Sequence, residues 1–182
     1  NETVLLEPEK VNFALYKKID ASNRVLEAMN PTSYMKAVKN PVEMENLRKA
    51  HLKDGVALTK FLYWMKKNAG KVALTETEAA ERLEDYRKAG EGYLGPSFTT
   101  ISAFGSNAAM CHYHATKEQE SPVGTDGFYL VDSGGQYYEG TTDVTRTIAI
   151  GNVTEEMKEH FTLVMMGMLR LMNAKFLYGC RG

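Results

Sequence analysis

Segments of helical apolar period lie on both sides of a glycine-rich, β-branched stretch, and this order constrains the fold of the 182 residues most. Asn40 stands where an N-cap belongs, with Pro41 at the first helical position and Glu43 at the third, a capping-box arrangement. Met44, Leu47, Leu58, Phe61, Leu62 and Met65 carry an apolar stripe to about residue 68. Gly55 sits inside it at a cost of about 1 kcal/mol against Ala, and close packing is the expected reason. Thr75 and Glu78 form a second capping box, Ala79, Leu83 and Tyr86 share a face, and Gly90 is the expected left-handed stop. Thr154 caps a third helix, whose first turn holds Glu155 and Glu156. Met157, Phe161, Val164, Met165, Met168 and Met172 are expected to form its core stripe. Between the second and third helices, strands are expected over 99–104, 108–113, 127–133 and 142–150, with a turn at Glu139-Gly140 and a loop over 120–127. Segregated helices and strands predict an α+β fold, an antiparallel sheet with flanking helices. Ahead of these, Val4-Leu5-Leu6 predicts a short strand and Val11 to Met29 a broken helix that Asn30-Pro31 ends.

Charge limits the partners. There are 22 Lys+Arg against 23 Asp+Glu, a net charge of −1, with no long run of one sign. No nucleic-acid or membrane surface is expected from that balance. No stretch approaches the roughly 20 apolar residues that span a bilayer, and the acidic start lacks the basic and apolar parts of a signal peptide. Cys111 and Cys180 cannot build a disulfide framework, so a reducing, cytoplasmic location is expected. The chain opens on Asn1 and closes on Phe176-Leu177-Tyr178-Gly179-Cys180-Arg181-Gly182, and is expected to be a piece of a longer one.

The chemistry concentrates in residues 129–147. Asp132 ends an apolar strand, and Asp143 follows a turn. If the strands are antiparallel neighbours, the two carboxylates lie side by side. Period-2 alternation puts Asp143, Thr145 and Thr147 on one face and Val144 and Arg146 on the other. Two such carboxylates stay ionised together only with a cation between them. Their hard oxygens suit Mn²⁺, Mg²⁺ or Zn²⁺. On spacing alone, Asp-Ser-Gly-Gly and Glu-Gly-Thr-Thr-Asp read first as plain turn residues.

A second cluster is Cys111-His112-Tyr113-His114. On the expected strand His112 and His114 share a face and Cys111 points away from His112. Either histidine suits a ligand, a proton carrier or a donor to a developing oxyanion, or is an ordinary half-exposed side chain. Leu130-Val131-Asp132-Ser133-Gly134 also resembles the active-site turn of aspartic proteases, which needs two copies sharing a proton. One copy is present, so that chemistry would need a dimer and would leave Asp143 without a role.

Asp132-Ser133-Gly134-Gly135-Gln136-Tyr137, followed by Gly140-Thr141-Thr142-Asp143-Val144-Thr145-Arg146-Thr147, closely resembles the metal-site segment of Xaa-Pro aminopeptidases (aminopeptidase P). Lys36 to Asn40, Ser97 to Ile101, Gly105 to Tyr113 and Ala174 to Phe176 resemble further segments of that family, so the likeness covers roughly 36–178. It implies the pita-bread fold, here an incomplete first half over 36–182, with 1–35 the tail of a preceding non-catalytic domain. It implies two divalent metal ions, usually Mn²⁺ with Zn²⁺ as the alternative. The activity implied is hydrolysis of the N-terminal residue from peptides with proline second. Asp132 and Asp143 fall on metal ligands, and His112 on a histidine that lines the substrate site and assists binding or proton handling. Glu139 stands where the family usually has Asp. The remaining ligands implied, one His and two Glu, lie further toward the C-terminus in that family. The chain by itself is therefore expected to bind metal weakly, to be inactive, and to self-associate, as a homodimer for example. The alternative is a non-catalytic pita-bread module that binds peptides or histones.

Overall fold

The computed structural model describes residues 2–19 and 21–180. Asn1, Arg181 and Gly182, the outer limits of the expected segments 1–35 and 36–182, lie outside the described residues, as does Asp20 within the expected first helix. The chain divides into two compact units, Asn1–Asn46 and Leu47–Gly182.

The first unit holds β1 (Thr3–Leu6), α1 (Phe13–Tyr16), β2 (Arg24–Glu27) and α2 (Pro31–Ala37). β1 and β2 pair in parallel, with Val4 opposite Val25. The helix expected from Val11 to Met29 is thus replaced by a four-residue helix and a strand. Asn12 starts that helix by accepting from the Ala14 amide at 2.8 Å. Pairing with β1 satisfies the backbone of 24–27, and the apolar stripe is too sparse to give a helix there a face to bury. Asn30 accepts from the Thr32 amide at 3.0 Å, with Pro31 at the first helical position, so the expected breaker also starts α2.

α3 (Pro41–Asn68) and α4 (Glu76–Lys88) follow, both at the expected positions. Thr75 and Glu78 complete the capping box in both directions. Then come β3 (Tyr93–Pro96), β4 (Ile101–Phe104), a 3-10 turn at Gly105–Ala109, β5 (Gly127–Ser133), β6 (Gly135–Tyr137), β7 (Gly140–Thr141), β8 (Val144–Ile150) and α5 (Glu155–Met172). The strands form two antiparallel sheets, ordered β3-β6-β7 and β4-β5-β8. β5 sets the layering by strict alternation. Gly127, Tyr129, Val131 and Ser133 are buried, while Phe128, Leu130 and Asp132 are half-buried on the opposite face. Tyr129 and Val131 pack with Phe61 and Met65 of α3 and Leu83 of α4, and Ile150 of β8 closes the same core.

Five expectations need correction. No strand covers 108–113; Gly105 turns left-handed (φ 59°), the backbone coils through the 3-10 turn, and His112 is itself left-handed (φ 57°). The shared strand face of His112 and His114 goes with it. β3 was not foreseen; it holds Gly95 and Pro96, residue types depleted in strands. α4 ends on Ala89 in right-handed conformation, and the left-handed glycine is Gly92 (φ 77°), not Gly90. An added Cβ at Gly55 would meet nothing within 4 Å, so close packing is not its reason. Finally, α5 forms where expected but buries none of its residues; Val164 is 73% and Met172 72% exposed. Phe161 meets Phe128, ring centroids 5.6 Å apart, and the rest of the stripe finds no core among the described residues.

Candidate metal centre

β5 delivers Asp132 to the sheet face turned away from the α3–α4 core, and β8 brings Thr145 directly opposite it. Thr145 Oγ1 donates to Asp132 Oδ1 at 2.8 Å. The expected face of Thr145 and Thr147 is realised, for Thr147 lines a hollow with Phe128 while Val144 packs on the core side.

The turn after Asp132 is locked by backbone contacts that only glycine permits. A Cβ on Gly134 would collide with the Thr142 carbonyl oxygen and Ser97 Oγ. Ser97 Oγ donates to that carbonyl at 2.8 Å, and the Gly135 amide donates to Thr142 Oγ1 at 2.9 Å. Thr142 is buried and Asp143 beside it is exposed, so the lock fixes where the second carboxylate leaves the backbone. The residue types of Asp-Ser-Gly-Gly and Gly-Thr-Thr-Asp are therefore turn chemistry here, with a carboxylate at each end.

Behind Ser133 lies a buried polar network. Arg87 donates from Nε to Asp54 Oδ1 at 2.7 Å, and from Nη2 to Asp54 Oδ2 at 3.2 Å and Ser133 Oγ at 3.0 Å. Tyr137 donates to Asp54 Oδ1 at 2.9 Å. Burial, then the Asp54 bond, pushes the Tyr137 phenol well above its ordinary range. The network ties α3 and α4 to the two strands that flank the Asp132 turn. Glu139, next to that turn, meets Lys53 of α3 at 2.6 Å, which holds its carboxyl below the usual range.

Asp132, Asp143, His112 and His114 line one cleft of about 600 Å³ with Phe98, Thr99 and Ile101. The structure thus brings together every candidate except the cysteines; Cys111 and Cys180 are both exposed, and neither lines the cleft. His112 and His114 reach it from a turn rather than a strand. Among the described residues no ion pair engages Asp132 or Asp143. Hard oxygens with no protein counter-charge fit a divalent metal. The donor set is incomplete, for among the described residues no three His, Cys, Asp or Glu side chains group closely enough to hold an ion.

Sequence reasoning missed Glu76, Arg87 and Asp54. Glu76, in the first turn of α4, is fully buried, and the capping pattern does not single it out. Asp54 and Arg87 lie 33 residues apart, and no local pattern announces the pair.

Residues 45–182 match the model of metallopeptidase family M24. The chain is 40% identical over 175 residues to a probable Xaa-Pro aminopeptidase P of Paracoccidioides brasiliensis (strain Pb03), covering 95% of this chain and 28% of that protein. It is 40% identical over 173 residues to Xaa-Pro aminopeptidase 2 of Mus musculus, covering 95% of this chain and 26% of that one. It superposes with a TM-score of 0.87 and 37% identity on the X-prolyl aminopeptidase of Caenorhabditis elegans, described as a cytosolic enzyme with a di-nuclear active site. That match covers 99% of this chain and 29% of that structure. The chain therefore spans between a quarter and a third of the length of these relatives.

Proposed function

Because the chain belongs to metallopeptidase family M24, we propose that it supplies two carboxylate ligands and the substrate-facing histidine of a dinuclear Xaa-Pro aminopeptidase site. Its α+β architecture is the pita-bread fold. The reading rests on one observation: Asp132, Asp143 and His112 face a single cleft although their backbones come from three separate stretches of chain.

Asp132 and Asp143 would hold the metal ions, Mn²⁺ first and Zn²⁺ second. When bound, such a pair supplies Lewis acidity at a peptide carbonyl and lowers the pKa of water. Thr145 holds the Asp132 carboxylate in one orientation through its hydrogen bond. His112, exposed at the cleft mouth, is placed to donate to a carbonyl oxygen as charge develops there, or to carry a proton to the departing amine. A proline in second position has no backbone N–H, so its ring must be recognised by shape. Phe98 and Ile101 give the cleft an apolar wall for that purpose. Hydrolysis would release the N-terminal residue.

Two carboxylates carry two negative charges, and two divalent cations carry four positive ones. The chain by itself is therefore proposed to hold metal weakly and to turn over little. A cytosolic setting is proposed from the C. elegans relative; among the described residues no helix is long and apolar enough to cross a membrane. A peptide is the proposed partner. Self-association of this chain, as a homodimer for example, is proposed as well, and sedimentation equilibrium tests it.

The deciding experiment measures release of the first residue from a peptide with proline second. It uses Mn²⁺ or a chelator, on the 182-residue chain and on a polypeptide extended to its relatives' length. The proposal expects Mn²⁺-dependent cleavage by the extended polypeptide, lost in Asp132→Asn and Asp143→Asn. Peptide binding without cleavage under any divalent metal would support the non-catalytic module instead.

A further inference from the structure

Glu76 is the first residue of α4 and is fully buried. Among the described residues no cation pairs with it. Its carboxylate instead gathers donors from chain 28 to 45 residues further on. Oε1 accepts from the Phe104 amide at 2.7 Å and from Asn107 Nδ2 at 3.1 Å. Oε2 accepts from the Tyr113 hydroxyl at 2.7 Å and the Ser121 amide at 3.2 Å. Asn107 Nδ2 also donates to the Tyr113 oxygen at 3.0 Å. A buried carboxylate is tolerated only with such donors, so the acid and the segment hold one another.

The segment gathered in this way carries His112. Among the described residues, His112 is the only non-glycine residue with left-handed backbone, φ 57°. Sterics disfavour that region for residues with a Cβ, and it persists where the surroundings over-determine it. Here the surroundings are identifiable. Tyr113, the next residue, is the one whose hydroxyl reaches Glu76, and its amide donates to the Met110 carbonyl at 3.2 Å. The turn is pinned on both sides, and His112 borders the cleft of Asp132 and Asp143.

We propose that Glu76 is the positioning residue for His112: through Tyr113 and Asn107, its buried carboxylate holds the left-handed turn that sets the imidazole at the cleft. The consequence for catalysis rests on the reading of His112 given above; the positioning does not.

The test uses this chain with isotope-labelled histidine and tyrosine, followed by NMR at one pH in wild type, Glu76→Gln, Tyr113→Phe and Glu78→Gln. Glu78 is the control, since it caps the same helix end without touching the His112 segment. In Glu76→Gln and Tyr113→Phe the imidazole and backbone signals of His112 shift. The Tyr113 amide exchanges roughly tenfold faster, the scale of one hydrogen bond to a buried charge. His51 and His160 keep their signals, and Glu78→Gln leaves His112 unmoved. Unmoved His112 signals in Tyr113→Phe overturn the proposal. If Glu76→Gln also disperses His51 and His160, that variant has lost the fold. Tyr113→Phe, which removes a single hydroxyl, then decides by the same criterion. Peptide hydrolysis that survives His112→Ala in the extended polypeptide would remove the catalytic reading of His112 and leave its positioning by Glu76 standing.

Discussion

Thr145 Oγ1 donates to Asp132 Oδ1 at 2.8 Å from the position directly opposite on the neighbouring strand. Thr145 is exposed, so the bond orients a carboxylate more than it stabilises the fold. Thr145→Val should therefore cost no more than about 1 kcal/mol in a urea melt. It should weaken Mn²⁺ binding, read by calorimetry, by a larger factor than it lowers stability. Unchanged Mn²⁺ affinity would deny Thr145 any orienting part.

Arg87 presents the opposite case. Its side chain is wholly buried, and it binds Asp54 and Ser133 while facing away from the cleft. Arg87→Met leaves the Asp54 carboxylate buried without its counter-charge. The expected loss is about 3–5 kcal/mol in denaturant melts. Arg87→Lys should recover little, because an ammonium cannot copy the two-pronged contact of a guanidinium. A loss under about 1 kcal/mol for Arg87→Met would show that water reaches the site on relaxation.

Two glycines separate backbone freedom from close approach. Gly55 lies inside α3 with open space where a Cβ would go. Gly55→Ala should raise stability by about 0.5–1 kcal/mol. Gly134→Ala forces a methyl into the Thr142 carbonyl and Ser97, so it should cost about 1–3 kcal/mol and move the signals of Asp132 and Asp143. Thermal melts of both variants check the signs, which must be opposite.

Tyr113 gives a pH dependence with a definite sign. Burial first, and then the bond to Glu76, pushes its phenol up to about 12. The unfolded value is near 10, so the folded state favours the neutral form. The contribution is complete below pH 10 and is lost as pH rises through 12. Between pH 8 and 11, wild type should lose more stability than Tyr113→Phe. Equal losses would mean that the phenol is not held by Glu76.

Helices α3, α4 and α5 and the aspartate strands were legible because their signals are local. Capping at Thr75 and Thr154, Pro41 after Asn40, and the alternation from Gly127 to Ser133 each declare themselves within a few residues. The turn at His112 was not legible, because what bends it is a carboxylate 37 residues away from Tyr113. The buried pair of Asp54 and Arg87 was hidden for the same reason. The α5 stripe misled in another way. Its period correctly gave a helix, but period alone does not say whether a partner surface is present. Spacing offered both carboxylates as candidates beside a plain-turn reading, and the cleft they share lies at a turn locked by the Gly134 and Thr142 contacts.

The central claim is that Asp132 and Asp143 act together on a divalent cation. Paramagnetic broadening by substoichiometric Mn²⁺ in NMR spectra of this chain tests it most directly, because it detects weak binding. The account predicts that amides around Asp132, Asp143 and Thr145 broaden first, and that Asp132→Asn and Asp143→Asn each abolish the effect. Broadening that begins elsewhere, or that survives both substitutions, would contradict it.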